Sequence, residues 1–182
     1  RMGGRMNAGW MLPNEAFSWI EERIPSGAVV IEFGSGDGSV RLSERFELYS
    51  VEHNVDWLHK SKSTYVHAPI VTNSVSTSRN EEGWYDESCF DELPLEAHLL
   101  IIDGPPGSIG RSGILNHLTR LPKLQHILVD DVDREAEHSL MIDLEAHFNC
   151  EAQIFISEQF KSNGEPRKFA ALDVHLGAPH HA

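Results

Sequence analysis

The run Val30-Ile31-Glu32-Phe33-Gly34-Ser35-Gly36-Asp37-Gly38 decides how this chain is read. It starts inside Ala28-Val29-Val30-Ile31-Glu32-Phe33, which is short, apolar and β-branched and bounded by glycine, the pattern of a parallel strand buried on both faces. It ends in closely spaced glycines that open a helix over about Ser39 to Phe46. Glycine lets backbone come close to a ligand, and the first turn of a helix leaves N–H groups unpaired. A strand, a glycine turn and a helix N-terminus in that order place a binding site at the turn.

Leu48-Tyr49-Ser50-Val51-Glu52 follows as a second strand and completes a βαβ unit. Upstream, Asn14 is positioned to cap a helix reaching Arg23, with Phe17, Ile20 and Ile24 at helical spacing and Pro25-Ser26-Gly27 as its stop. Downstream, the pattern predicts a helix over 56–61, a strand at Thr64–His67 and a long polar stretch from Pro69 to Asp91, read as loop. Within that stretch, Ser76 to Glu87, with Trp84 and Tyr85, is a candidate lid over a substrate. Then come a strand ending at Asp103, a helix over 112–120, a strand at His126–Asp131 and a helix over 134–148. Strands at 152–156 and 169–174 flank the turn Ser162-Asn163-Gly164-Glu165-Pro166 and form an antiparallel hairpin. The expected fold is one α/β domain over 1–182, Rossmann-like, with a mostly parallel seven-stranded sheet, helices on both faces and a C-terminal antiparallel hairpin. Residues 1–12 read as a loose N-terminus and 176–182 as a tail.

Composition narrows the function. The 182 residues are 40% hydrophobic and 24% charged, ordinary for a soluble domain, and no stretch has the roughly 18 apolar residues of a membrane span. A net charge of -13 argues against a nucleic-acid partner, which would draw its affinity from clustered Lys and Arg. Cys89 and Cys150 form no CxxC and read as reduced thiols in a cytoplasmic protein. No oligomeric state is read from the sequence.

The chemistry sits at the strand ends. Glu52 closes the second strand 20 residues after Glu32, where an acid accepts hydrogen bonds from the two hydroxyls of a ribose. His53 and Trp57 lie close behind it, beside where a base would stack, though Trp57 suits packing against the sheet better. Asp103, and Asp130 with Asp131, end two further strands, so neighbouring parallel strands bring three carboxylates to one edge. Three acids that close repel one another unless something positive lies between them, and hard oxygen ligands suit Mg²⁺ or a similar divalent ion.

The first run resembles the opening motif of the class I S-adenosylmethionine-dependent methyltransferases, in which an acid precedes a GxGxG turn. By that resemblance Glu32, Gly34, Ser35, Gly36, Asp37, Gly38, Glu52, His53 and Asp103 would form the cofactor site. The acid cluster resembles that of the metal-dependent O-methyltransferases acting on sugars and small molecules. This implies Asp103, Asp130 and Asp131 as metal ligands, Asp103 and Asp131 as catalytic residues, and a small-molecule or sugar substrate. In many of those enzymes the stretch after the fourth strand supplies a base; here Gly104-Pro105-Pro106-Gly107 offers none. Asp103-Gly104-Pro105 also resembles a group related to the plant methyltransferases of acidic xylan sugars, a match too short to carry a substrate across. Arg111, His117 and Arg134 are within sequence reach of the site but read as surface residues, and Asn73 and Ser74 are candidate cofactor contacts. Two alternatives stand. A NAD- or nucleotide-sugar-binding oxidoreductase would want its third glycine at the position of Ser39, and a non-catalytic methyltransferase-like partner subunit would have no use for three crowded acids.

Overall fold

The computed structural model describes residues 11–175. The expected tail and most of the expected loose N-terminus lie outside them. Leu12 does not: it is buried in the core beside Phe17 and Ile20, so the N-terminal segment is already packed by that point.

In chain order the elements are α1 (Asn14–Arg23), β1 (Val29–Phe33), α2 (Gly38–Arg45), β2 (Glu47–Glu52), β3 (Thr64–His67), β4 (Ile70–Val71), α3 (Ser74–Ser78), β5 (Trp84–Tyr85), β6 (Glu96–Ile102), β7 (Lys123–Asp130), α4 (Glu135–Phe148), β8 (Gln153–Phe160) and β9 (Pro166–Asp173). Seven strands form the main sheet in the order β3-β2-β1-β6-β7-β9-β8. The first five are parallel, and β9 runs antiparallel to both β7 and β8. The chain moves outward from β1 to β3 and then crosses back to β6, so strand order reverses between β1 and β6. That reversal opens a crevice at their carboxyl ends. Period-two alternation divides the buried strand residues between two cores. Val30, Leu99, Ile101 and Leu128 face α1 and α2, while Ile31, Phe33, Leu100, Ile102 and Val129 face the opposite layer.

Several local expectations are corrected. Pro13, not Asn14, occupies the N-cap of α1, and the Asn14 amide donates to Gln159 Oε1 at 2.8 Å. The helix expected over 56–61 shrinks to a single 3₁₀ turn, Val55–Trp57, held by the Asn54 side chain accepting from the Asp56 amide. The helix over 112–120 is 3₁₀ in character and broken at His117. The largest correction concerns 69–91, which is neither loop nor lid. It contains α3, the antiparallel pair β4–β5 and a 3₁₀ helix at Glu87–Glu92. Trp84 is fully buried, its ring 5.1 Å from Phe33, 5.4 Å from His117 and 6.0 Å from Phe90. Polar residues dominate this stretch, but two aromatics suffice to fasten it over the sheet. Among the described residues no helix is long and apolar enough to cross a membrane.

If this segment is core, Trp84→Ala should cost about 3–5 kcal/mol of unfolding free energy in urea titration, as for other buried aromatics cut to alanine. A loss under about 1 kcal/mol, the range of surface positions, would return the segment to the status of a mobile cover.

Candidate functional site

The crevice is an open cleft of about 1340 Å³. Its floor is a contact between two glycines. Gly34, at φ +89°, turns the chain off β1 while its amide donates to Val51 O at 2.9 Å. A Cβ there would lie 2.8 Å from both Asp103 O and Gly104 Cα, and a Cβ on Gly104 would lie 2.7 Å from Gly34 Cα. Neither position admits a side chain, so the ends of β1 and β6 touch through bare backbone.

Glu52 stands at one side of this floor. Its Oε1 accepts from the Ser35 amide at 3.0 Å and the Ser35 hydroxyl at 2.9 Å, and Oε2 accepts from the Asn54 amide at 2.8 Å. The His53 ring lies beside it, Nδ1 at 3.1 Å. Gly34, Ser35, Gly36, Glu52, His53 and Asp103 all line the cleft, and Trp57, expected against the sheet, lines it too. Glu32 lies elsewhere, buried beneath the turn, where its Oε1 accepts from Ser50 at 2.7 Å and from the Ser39 hydroxyl. Burial raises its carboxyl to about 7, against the lowering effect of those two hydroxyls. Gly38 is buried against Phe17 of α1, and Asp37 precedes α2 half-buried, without a side-chain capping bond. Asn73 is structural: its Oδ1 caps α3 and its Nδ2 donates to Gly113 O at 3.1 Å, while Ser74 donates to Asn116 Oδ1 at 3.2 Å.

On the other side Asp103, Asp130 and Asp131 converge, each offering an oxygen within 4.8 Å of the others. Asp131 leaves β7 with φ +61°, a backbone state that aspartate tolerates better than most residues. The positive charge that such a cluster needs comes from the chain itself. Arg111, expected at the surface, is 5% exposed and donates to Asp131 Oδ2 at 2.9 Å, Pro105 O at 2.9 Å, Asp103 O at 3.2 Å and Asp130 O at 3.4 Å. Arg134 donates to the same Asp131 oxygen at 2.7 Å, and buried Arg167 to Asp130 Oδ2 at 3.4 Å. A divalent ion fits this donor set poorly, because a guanidinium already stands between Asp103 and Asp131. Burial, and then the charge of Asp130, push the Asp103 carboxyl well above the usual range, with Arg111 opposing. Asp130 is raised to about 6 by burial and by Asp131. His117, also expected at the surface, is buried against Trp84 and plays no part here.

Tyr85 belongs to the site as well. It is 1% exposed, stacks on Phe33 at 5.7 Å, and brings its hydroxyl to the Gly34–Gly104 contact at the cleft wall. That hydroxyl has no hydrogen-bond partner among the described residues. An unpaired buried hydroxyl costs about 1–3 kcal/mol, so this one, at the cleft wall, is a candidate ligand contact.

No protein-family model and no curated protein sequence matches the chain. Solved structures do. The METTL16 methyltransferase domain superposes with a TM-score of 0.59 at 10% identity, covering 87% of this chain and 66% of that one. An O-methyltransferase from Bacillus cereus in complex with SAH gives 0.57 at 12% identity, covering 86% and 79%. The methyltransferase domain of bacterial CtHen1 gives 0.53 at 8% identity, covering 87% and 95%. At these identities the likeness establishes the fold, a Rossmann-like methyltransferase sheet closed by an antiparallel hairpin.

Two outcomes follow from the buried polar groups. Tyr85→Phe removes a hydroxyl with no partner, so the melting temperature of the ligand-free protein should hold or rise; a drop of several degrees would mean the hydroxyl is already paired. For Glu32, folding favours the protonated form, because its carboxyl sits at about 7 in the folded chain against an ordinary 4.5. Its contribution is therefore fullest below pH 4.5 and falls, by about 3 kcal/mol, as pH rises to 7. Glu32→Gln should flatten the stability profile across that window, and an unchanged profile by denaturant titration would show that Glu32 ionises normally.

Proposed function

We propose that this protein is an S-adenosylmethionine-dependent methyltransferase acting on a hydroxyl of a small molecule or sugar. The observation that carries the reading is Glu52, a carboxylate at the end of β2 hydrogen-bonded into the glycine turn at the point where strand order reverses. It is supported by the fold shared with methyltransferase structures, one of them holding SAH, S-adenosylhomocysteine.

The cradle of Gly34, Ser35 and Gly36 with Glu52 and His53 suits the nucleoside end, and the unpaired Tyr85 hydroxyl awaits a polar atom at the same wall. Bound, the cofactor would supply a sulfonium methyl open to in-line displacement. The chain's own groups then handle the acceptor. Asp103, 22% exposed on the cleft floor, is placed to take the hydroxyl proton as oxygen bonds to the methyl carbon and the C–S electron pair stays on sulfur. Asp131 holds Arg111 and Arg134, and through them the shape of the floor. The Arg and Lys side chains lining the cleft, Arg111, Arg134, Lys161 and Arg167, each face a carboxylate, which suits a compact neutral acceptor better than a polyanion.

Calorimetric titration with S-adenosylmethionine and S-adenosylhomocysteine, with NAD as control, tests the reading. Micromolar binding of the sulfur pair and none of NAD is expected; NAD binding alone would make this an oxidoreductase, and binding of neither a non-catalytic relative. Glu52→Ala should weaken S-adenosylhomocysteine by about 1–3 kcal/mol through lost charged hydrogen bonds. Asp103→Asn should abolish turnover in a screen over sugars and phenols while cofactor affinity stays within a few fold. Full turnover in that variant would remove Asp103 as the base.

A further inference from the structure

The cluster of Asp103, Asp130 and Asp131 is the kind of site in which a divalent cation is ordinarily sought, yet its donor geometry points elsewhere. We propose that Arg111 is the resident cation of this cluster and that the site takes no divalent metal. The inference concerns the cluster's own chemistry and rests on the methyl-transfer reading only for its catalytic consequence.

The guanidinium is fixed from several directions at once. Nε donates to Pro105 O, Nη2 to Asp103 O, and Nη1 to Asp130 O and Asp131 Oδ2, with Asp103 Oδ1 3.8 Å from Nη2. Swinging it out to admit an ion would strand three buried carbonyls as well as a carboxylate, a cost no flexible surface arginine meets. Charge counting agrees. Asp103 and Asp131 face Arg111, Asp131 and buried Glu137 face Arg134, and Asp130 faces Arg167, so four carboxylates meet three guanidinium groups and one proton shared by Asp103 and Asp130 closes the balance. Two further positive charges would enter a balanced site and lie within a few ångströms of Arg111, where repulsion in a low-dielectric interior is strong. Asp131 Oδ2 already accepts from two arginines. The strongest argument for a metal is Asp130 Oδ1, which has no donor among the described residues. A proton held between Asp130 and its close neighbour Asp103 serves that oxygen equally well, and the one negative charge left on the pair is what Asp103 would use to accept a proton.

The consequence is chemical. A metal would activate an acceptor hydroxyl by coordinating it, whereas a guanidinium, here with four of its five N–H donors taken, offers no coordination position. Activation must then come from a carboxylate, and Arg111 is a positioning residue that holds Asp103 and Asp131 in register.

The test uses the whole protein, stripped with EDTA and titrated with Mn²⁺ and with Mg²⁺ in the absence of any cofactor, read by calorimetry and thermal melting. Wild type should bind neither ion stoichiometrically, and its melting temperature should move by less than about 1 °C at about 1 mM ion. Arg111→Met frees the cluster and should gain Mn²⁺ binding together with a Mn²⁺-dependent rise in melting temperature, a gain that a merely structural arginine would not produce. Tight one-to-one Mn²⁺ binding by wild type, lost in Asp103→Asn, overturns the proposal, and a folded Arg111→Met that takes up no ion overturns Arg111 as the reason. Should Arg111→Met fail to fold, the wild-type titration decides alone. Cofactor binding is scored separately, so failure here leaves the methyl-transfer reading standing, and the converse also holds.

Discussion

Two backbones meeting without a side chain between them set the geometry of this molecule's working end. Gly34 and Gly104 stand so close that a Cβ on either would fall inside the other's atoms. The contact pins the ends of β1 and β6 together where strand order reverses, and the rest of the site is arranged around it. Ser35 leaves that point toward Glu52, Asp103 flanks it on the β6 side, and the Tyr85 hydroxyl comes to rest on Gly104. Any larger residue would pry the strands apart and tilt the turn and the acid cluster relative to each other. Catalytic geometry tolerates such displacement badly.

Electrostatics ties the remaining strand ends to that contact. The chain is strongly acidic, with 28 Asp and Glu against 15 Lys and Arg, yet it directs Arg111, Arg134 and Arg167 to one small region. Arg111 comes from the segment after β6, Arg134 from the start of α4 and Arg167 from β9, so the ion pairs join elements that backbone pairing alone would leave independent at their tips. A buried network of this kind is costly when half made, because removing one partner leaves an uncompensated charge. The cluster therefore acts as a unit, and its acids cannot be assigned separate roles without reference to the arginines that hold them.

Much of this was legible in the sequence, and the reasons it stopped where it did are physical. β1 and β6 announce themselves by apolar, β-branched runs, the hairpin by its Asn163-Gly164 turn, and the acids by their places at strand ends, all local signals. Arg111 gives no local signal, since a lone arginine after Gly110 looks like solvent-facing charge. Only the demand of three crowded acids for a cation points to it, and in the sequence a divalent metal meets that demand as readily as an arginine. Trp84 and Tyr85 were hidden the other way. They sit in a stretch whose polar composition suggests a loop, and their burial depends on Phe33 and His117, 51 and 33 residues from Trp84 in the chain. The shortened turn at Val55–Trp57 and the broken helix at His117 are boundary effects, in which capping and tertiary packing override propensity.

Within the site, preparation for a ligand is uneven, and the unevenness bears on selectivity. Glu52 is already engaged by three donors from the chain, so its position is set before anything binds and little ordering is left for a ligand to impose. A ribose hydroxyl meeting that carboxylate gains affinity from preorganisation, as would many nucleosides. Tyr85 presents the opposite case, a buried hydroxyl with no hydrogen-bond partner among the described residues. A ligand without a polar atom at that spot leaves the hydroxyl unpaired, whereas one with a polar atom there relieves the cost, so discrimination concentrates on a single atom. On the proposed reading the cleft would divide its labour: the β2 side would secure nucleosides in general, and the wall over Gly104 would sort among them.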